Sequence, residues 1–136
     1  MTDSSRLIVG ISGASGVIYG IRLLQALKKL PVETHLVMTR TAEVTLAHET
    51  DLKVEDVRRL ADVTYRANDL AAAVSSGSFR TIGMIVVPCS MRSLGEIAHG
   101  ITSNLLTRAT KDNRLFMVQL GYLPQFMGLA LGSTKD

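Results

Sequence analysis

Residues 6–20 read R-L-I-V-G-I-S-G-A-S-G-V-I-Y-G, and this stretch decides the fold. The apolar run 7–11 predicts a buried β-strand, the small residues 12–16 predict a tight turn, and a helical pattern follows at once. Backbone N–H groups, a hydroxyl and the positive end of a helix dipole then meet at one point, which favours a phosphate group. A plain strand-to-helix turn without a ligand uses the same small residues, so the turn alone leaves both interpretations open.

Short apolar runs alternate with helical periodicity along the rest of the chain. Strands are predicted at 7–11, 32–38, 62–65, 83–88 and 115–120, and helices at 17–30, 41–49, 54–60, 69–74, 90–99 and 104–109. The apolar face of the first helix is predicted to contain Ile18, Ile21, Leu24 and Leu27, and Asp51 is a candidate cap for the third. The alternation predicts a Rossmann-like α/β fold in three layers, with a parallel sheet covered by helices on both faces.

Length, charge and cysteine usage narrow the class of protein. The 136 residues are 46% hydrophobic, enough for a single domain over 1–136 with a substantial core. The net charge of +3 is spread without an aromatic-rich basic stripe, so we expect no nucleic-acid partner. The single cysteine, Cys89, excludes an internal disulfide framework, and it and the three histidines lack metal-ligand spacing. Without a signal peptide or an apolar run of about 20 residues, we expect a cytoplasmic protein with no membrane span.

The loops after the first, second and fourth strands carry the candidate site residues. In a parallel sheet the carboxyl ends of the strands share one edge, and ligands bind there near the switch in strand order. These loops supply Gly13, Ala14 and Ser15, then Thr39 and Arg40, then Pro88, Cys89, Ser90, Met91, Arg92 and Ser93. Hydroxyls, backbone N–H groups and two cations around an apolar strand end suit a phosphate attached to a flat, partly apolar group.

Some of these residues also have ordinary structural interpretations. Ser90 is compatible with a helix cap and Thr39 with a turn residue. Cys89 is interpreted as a small buried hydrophobic residue, because the sequence fixes no histidine or other base beside it.

Histidines and acidic residues give weaker signals. His35 is expected to be structural in the second strand, and His48 and His99 are expected on helix surfaces. Glu49 ends an apolar helix in the sequence H-E-T-D, close to the predicted binding edge. A lone helical glutamate is usually solvated, but near a flavin-sized site it would be placed to act as a general acid or base.

Six segments of the sequence, in order, resemble the UbiX-type flavin prenyltransferases, a family formerly described as aromatic-acid or polyprenyl-hydroxybenzoate decarboxylases. They are R-L-I-V-G-I-S-G-A-S-G-V-I-Y-G-I-R-L-L, V-E-T-H-L-V-M-T, H-E-T-D, A-D-V-T-Y, S-S-G-S-F-R-T-I-G-M-I-V-V-P-C-S-M and L-L-T-R-A. The match covers residues 6–109 almost without gaps. It separates the chain from dehydrogenases, whose turn reads G-x-G-x-x-G and precedes an acidic ribose ligand.

The resemblance implies a non-covalent FMN site. The cofactor-binding positions that it assigns are Gly13, Ala14, Ser15, Thr39, Ser90, Met91, Arg92 and Ser93. Thr39 stands where the family usually has serine, and Arg92 replaces a more usual lysine or small residue. The resemblance also implies catalytic roles for Glu49, beside the prenyl-transfer site, and for Ser15. The loop 75–79 matches one beside the isoprenoid pocket.

The reaction that the resemblance implies joins a dimethylallyl group, from dimethylallyl monophosphate, to flavin atoms N5 and C6. No metal is required. The product is prenylated FMN, the cofactor of UbiD-type decarboxylases in ubiquinone biosynthesis or aromatic-acid decarboxylation. The resemblance further implies a homo-oligomer, a dodecamer with the active site at subunit contacts.

The resemblance ends after Ala109, and residues 110–136 form a divergent tail. The family continues with A-D-V-x-L-K-E-x-R and a strand ending in R-E-x-P, and its later Tyr and Arg that grip the substrate phosphate have no counterparts here. Three explanations remain open: a truncated or frame-shifted product, a divergent member whose tail rebuilds the site, or a flavin-binding subunit without transferase activity. The apolar run 116–131 would supply a strand and a covering helix in a whole domain.

Two other functions compete with prenyl transfer. A non-catalytic FMN-binding subunit would bind the flavin without making a prenylated product. A flavin-dependent cysteine decarboxylase would carry a catalytic histidine soon after the first helix, and the absence of any histidine between Gly16 and His35 counts against it.

Overall fold

The structure is a computed structural model that describes residues 5–113 and 115–120. Its strands are β1 (Arg6–Ile11), β2 (Glu33–Met38), β3 (Val63–Tyr65), β4 (Gly83–Cys89) and β5 (Leu115–Leu120). Its helices are α1 (Val17–Leu27), α2 (Arg40–Glu49), α3 (Val54–Arg58), α4 (Met91–His99) and α5 (Leu105–Asp112). All five predicted strands are present, the fifth with the predicted bounds.

The five strands form one parallel sheet in the order β3-β2-β1-β4-β5. The central strand β1 pairs with β2, where Leu7 lies opposite Thr34, and with β4, where Leu7 lies opposite Gly83. The chain therefore builds outward from β1 to β3 on one side and then crosses to β4 and β5 on the other. The strand order switches between β1 and β4, and a ligand of such a sheet binds at the carboxyl ends beside that switch.

Two buried clusters, one on each face of the sheet, confirm the three-layer architecture. Alternate residues of β1 point to opposite faces, as the period of two in a strand requires. Leu7, Val9 and Ile11 pack with apolar residues of α1, α2 and α3. Ile8 packs on the other face with β4, with α5 and with the segment that precedes β4.

The predicted helix at 69–74 is wrong. The segment forms successive turns, followed by a short 3₁₀ helix at Ala73–Ser75. Six residues are too few to stabilise an α-helix without an extensive apolar face, and only Ala72 and Val74 are buried among them. The Ser75 hydroxyl also donates to the carbonyls of Leu70 and Ala72, which satisfies groups that a regular helix would use itself.

Helix α1 ends at Leu27, three residues before the predicted end. Lys29 and Leu30 donate to carbonyls three residues back, the tighter pattern of a final turn before Pro31. Ile18, predicted on the buried face, is 40% exposed, whereas Val17 is buried.

The prediction that Asp51 caps α3 is also wrong. Helix α3 begins after Lys53, whose backbone N–H donates to the Asp56 carboxylate in the first turn. The covering helix predicted from the apolar run 116–131 would follow β5, and that part of the run lies outside the described residues. Within residues 5–113 and 115–120, no helix is long and apolar enough to cross a bilayer.

Candidate functional site

A cavity of about 380 Å³ opens at the carboxyl edge of the sheet, where the loops after β2 and β4 flank the end of β1. We call it the edge cavity. Its lining comprises Thr39, Arg40, Thr41, Ala67, Asn68, Leu70, Ser90, Arg92, Ser93, Glu96, Ser103 and Asn104. Its volume lies within the range of roughly 300–1,000 Å³ typical of small-molecule sites. Hydroxyls, amides and two guanidinium groups therefore surround a space that also has an apolar wall.

Ser12 connects the loop after β1 to the loop after β4 through hydrogen bonds. Its buried hydroxyl donates to the Pro88 carbonyl at 2.9 Å and accepts from the Ser90 N–H at 2.6 Å. Its backbone N–H also donates to the Pro88 carbonyl, at 3.1 Å. This connection fixes the start of α4 relative to the end of β1, and the sequence analysis missed it.

Thr39 and Ser90 are the N-caps of α2 and α4. The Thr39 hydroxyl accepts from the Ala42 N–H at 3.1 Å, and the Ser90 hydroxyl accepts from the Ser93 N–H at 3.1 Å. Both side chains nevertheless border the edge cavity. The Ser90 hydroxyl donates its own proton to Ser93 Oγ at 3.0 Å, whereas Thr39 Oγ1 lies 3.0 Å from Thr41 Oγ1, where either hydroxyl can be the donor. Thr39 can therefore cap α2 and still donate its proton to a ligand when Thr41 donates to it.

The glycine turn packs directly against α2. The Thr45 hydroxyl donates to the Gly13 carbonyl at 3.0 Å. A Cβ atom at Gly13 would lie only 2.5 Å from Thr41 Cβ and Oγ1, so the turn requires glycine here for close approach. Gly13, Ala14 and Ser15 do not line the edge cavity themselves, but Thr41, which Gly13 contacts, does.

Glu49 occupies the start of α1, and this corrects the expectation of free N–H groups there. Its Oε1 accepts from the backbone N–H groups of Gly16 and Val17, both at 3.1 Å. Helix α1 has no side-chain cap of its own, and Gly16 has a left-handed φ of 98°. The carboxylate thus takes the position, favoured by the helix dipole, that the sequence suggested for a phosphate. The two predicted catalytic positions, Ser15 and Glu49, are accordingly neighbours.

Arg92 is held at the cavity by an ion pair within α4. Its Nε lies 3.2 Å from Glu96 Oε2, and the Ser103 hydroxyl donates to Glu96 Oε1 at 2.6 Å. The Arg92 side chain is 83% exposed, whereas that of Glu96 is 11% exposed. The Ser103 hydrogen bond, assisted by Arg92, holds the pKa of the Glu96 carboxyl below its usual range, although burial acts in the opposite direction.

Other predicted residues of the fourth loop have different surroundings. Ser93 is buried and lines the cavity, but Met91 is 55% exposed and does not. Cys89 is buried, and desolvation raises its pKa to about 11, which confirms an unreactive packing role.

His35 and the loop at 75–79 lie away from the edge cavity. His35 is buried between the Tyr65 hydroxyl, 2.8 Å from Nδ1, and Glu33, 2.7 Å from Nε2, so its role is structural. The Phe79 ring packs edge-on against His35 and under the guanidinium of Arg6, at the amino end of β1. His48 and His99 are exposed on helices, as predicted.

Seven cavity residues were not identified as site residues from the sequence: Thr41, Ala67, Asn68, Leu70, Glu96, Ser103 and Asn104. Glu96 did carry a signal, because it stands four positions after Arg92 on a predicted helix. The residues after β3 carried none. Among the described residues, no group of three or more His, Cys, Asp or Glu could hold a metal ion.

The family described as Flavoprotein matches residues 1–114 of the chain. The flavin prenyltransferase UbiX of Escherichia coli is 51% identical over 128 residues, and that of Salmonella typhimurium is 58% identical over 128 residues. Each match covers 90% of this chain and 68% of the relative's own length.

Solved structures of UbiX proteins are also similar to this chain. AnUbiX in complex with FMN and dimethylallyl pyrophosphate superposes with a TM-score of 0.81 at 41% identity, covering 94% of this chain and 74% of that one. A dodecameric FMN-dependent UbiX-like decarboxylase from Escherichia coli superposes with a TM-score of 0.80 at 43% identity. This match covers 93% of this chain and 75% of that one. The chain belongs to the flavoprotein family, among the UbiX-type flavin prenyltransferases.

Proposed function

We propose that this chain is a flavin prenyltransferase, which binds FMN in the edge cavity and transfers a dimethylallyl group to it from dimethylallyl monophosphate. The observation that carries the proposal is the edge cavity itself, at the strand-order switch, with guanidinium groups and hydroxyls beside an apolar wall. Relatives at 51% and 58% identity that are named flavin prenyltransferases support it.

The chemistry of the cavity fits FMN. Arg40 and Arg92 offer positive charge for a phosphate, and the Thr39 hydroxyl can donate its proton while it caps α2. Leu70 and Ala67 provide an apolar surface for a flat ring, and Asn68 provides an amide. The Glu49 carboxylate at the start of α1 disfavours a phosphate at that helix. The phosphate is therefore assigned to the start of α2, at Thr39 and Arg40.

Bound FMN would supply the ring that accepts the dimethylallyl group, and the protein's contribution is placement and proton movement. Glu49 is exposed, beside Ser15, and its Oε2 has no hydrogen-bond partner among the described residues. We assign to this carboxylate the movement of a proton during transfer. The Ser15 hydroxyl, exposed beside this carboxylate, is assigned to the same proton movement.

The assembly and the user of the product complete the proposal. The Escherichia coli neighbour is described as dodecameric, and we propose a homo-oligomer for this chain too. Large apolar side chains more than half exposed, which suit subunit contacts, include Leu30, Val44, Met91 and Ile101. A cytoplasmic UbiD-type decarboxylase is proposed to consume the prenylated flavin. Light scattering of the purified chain tests the oligomer, which a monomer at every concentration would exclude.

The first experiment is an FMN titration followed by flavin fluorescence. Thr39→Asp should weaken binding about tenfold or more, because it places a carboxylate at the position assigned to the FMN phosphate while the aspartate side chain can still cap α2. Ser78→Asp adds the same negative charge on an exposed loop outside the cavity and should bind FMN as the wild type does. Absence of FMN binding by folded protein would overturn the proposed cofactor site.

The second experiment separates prenyl transfer from simple flavin binding. The chain is incubated with dimethylallyl monophosphate and with FMN in oxidised and in reduced form, and the flavin is analysed by mass spectrometry. A flavin heavier by one prenyl group is expected. FMN binding without any such product would favour the non-catalytic FMN-binding subunit.

A further inference from the structure

The edge cavity has one carboxylate, that of Glu96, among the lining residues that the structure describes. The Ser103 hydroxyl donates to its Oε1 at 2.6 Å, and Arg92 Nε donates to its Oε2 at 3.2 Å. Because these contacts lower the pKa of Glu96, the side chain is ionised at neutral pH. An ionised carboxylate can only accept hydrogen bonds, whereas the hydroxyl and amide groups of the lining can also donate them.

The burial of this carboxylate determines what it requires from a ligand. The Glu96 side chain is 11% exposed and lines the cavity, so a molecule that fills the cavity displaces water from it. Its two oxygens offer about four acceptor positions, more than Ser103 and Arg92 occupy. An acceptor position that loses its water without gaining another donor weakens binding. A ligand that fits this cavity therefore brings a hydrogen-bond donor to Glu96.

We propose that Glu96 accepts a hydrogen bond from FMN and thereby determines which flavins the edge cavity binds. The inference rests on the proposed function and deepens it, because it names the side chain that selects the flavin. FMN has two kinds of donor besides its phosphate, the hydroxyls of the ribityl chain and the N3–H group of the ring. Both are uncharged, so either can approach Glu96 while its ion pair with Arg92 stays intact.

Two analogues of FMN, each without one kind of donor, test the inference by calorimetric titration. One analogue is methylated at N3, and the other carries its phosphate on a five-carbon chain without hydroxyls. The measured quantity is the dissociation constant of the analogue divided by that of FMN. We expect this ratio to be about ten or more for one analogue with wild-type protein, because a hydrogen bond to a charged group contributes roughly tenfold.

Variants of the wall separate the acceptor from its surroundings. Glu96→Met removes both acceptor oxygens at similar side-chain length and should lower that ratio about tenfold. All three ligands carry the same phosphate, so loss of the Glu96 charge affects them alike and leaves the ratio unchanged by itself. Glu96→Gln keeps one acceptor oxygen and should give an intermediate ratio. Ser103→Ala leaves the carboxylate in place and should keep the wild-type ratio.

Glu55→Met is the matched control. It makes the same substitution at an exposed glutamate that pairs with Arg58 and does not line the cavity, so the wild-type ratio is expected. The analogue whose ratio falls in Glu96→Met identifies the donor as the ring N3–H or a ribityl hydroxyl. Ratios that are equal in wild type and Glu96→Met for both analogues would overturn the inference. A fall in Ser103→Ala as large as that in Glu96→Met would also overturn it, since the hydroxyl would then be the group that selects the flavin.

Failure of the inference differs from failure of the proposed function. Folded protein that binds no FMN would overturn both. FMN binding and prenyl transfer with ratios that Glu96→Met leaves unchanged would overturn the inference alone.

Discussion

Glu49 links two helices that are distant in sequence and brings a carboxylate to the edge of the sheet. One oxygen accepts two N–H groups at the start of α1, which would otherwise lack a side-chain cap. A capping role and a proton-moving role make different demands on this side chain. The first needs only an acceptor oxygen, whereas the second needs a group that can bind and release a proton.

Glu49→Gln and Glu49→Ala separate these roles. Glutamine keeps the acceptor oxygen, so we expect a small loss of stability but a fall in prenyl transfer of about a hundredfold. Alanine removes the cap and should lower the free energy of unfolding by about 1 kcal/mol, measured by urea denaturation. Wild-type prenyl transfer by Glu49→Gln would restrict Glu49 to capping.

Glu96 should make stability depend on pH. Because Ser103 and Arg92 lower the pKa of Glu96 in the folded protein, its ionised form stabilises the fold above the ordinary pKa of 4.5. That contribution is lost as the pH falls below 4.5 and through the folded-state pKa. Glu96→Gln should thus be less stable than wild type at pH 7, with a difference that shrinks in acid.

Urea denaturation over a pH series measures this difference. Ser103→Ala removes the main cause of the lowered pKa while it leaves the carboxylate in place, so its pH dependence should lie between those of wild type and Glu96→Gln. A stability difference between Glu96→Gln and wild type that is constant with pH would contradict the assignment.

At the scale of elements, the turn after β1 and the start of α2 are fitted to each other. Gly13→Ala would place Cβ 2.5 Å from Thr41 Cβ and 3.0 Å from its carbonyl carbon, so the turn and helix must separate. We expect a loss of about 1–3 kcal/mol in unfolding free energy, together with weaker FMN binding because Thr39 and Thr41 move. Gly95→Ala is the control: apart from its chain neighbours and the nearby backbone of α4, no atom lies within 4 Å of a Cβ at this position, and alanine should stabilise α4 by about 0.5–1 kcal/mol. Equal stabilities of the two variants would refute the close packing.

The alternation of apolar runs and helical periods was sufficient to predict the strands, because both faces of a parallel sheet are buried. The cap Ser90 was also predicted, because a hydroxyl before a helical pattern is a local signal for an N-cap. Thr39 has the same local signal but was expected as a turn residue, and the structure shows that it caps α2. The sequence did not predict the role of Ser12 or the cavity wall formed by Asn68 and Leu70. They depend on contacts between segments far apart in sequence, and the segment after β3 has no regular period to place it.

At the scale of the whole molecule, the edge cavity exists only where four segments meet. Residues after β2, after β3, in α4 and before α5 contribute to it, and none of these segments encloses the space alone. A ligand that fills the cavity binds the folded state and not the unfolded chain. It must therefore raise the stability of the entire domain.

FMN and riboflavin differ only in the phosphate. Comparing them measures how much of the stabilisation comes from the phosphate and how much from the rest of the flavin. At a hundred times its dissociation constant, FMN should add about 2.7 kcal/mol to the stability. This corresponds to a rise in melting temperature of roughly 10 °C for a domain of this size. Riboflavin at the same concentration should produce a smaller rise, because it leaves Arg40 and the Thr39 hydroxyl without an anion. Thr39→Ser keeps the hydroxyl and should preserve the difference between the two flavins, whereas Thr39→Val should reduce it. Equal rises with FMN and riboflavin in the wild type would mean that the start of α2 does not bind the phosphate.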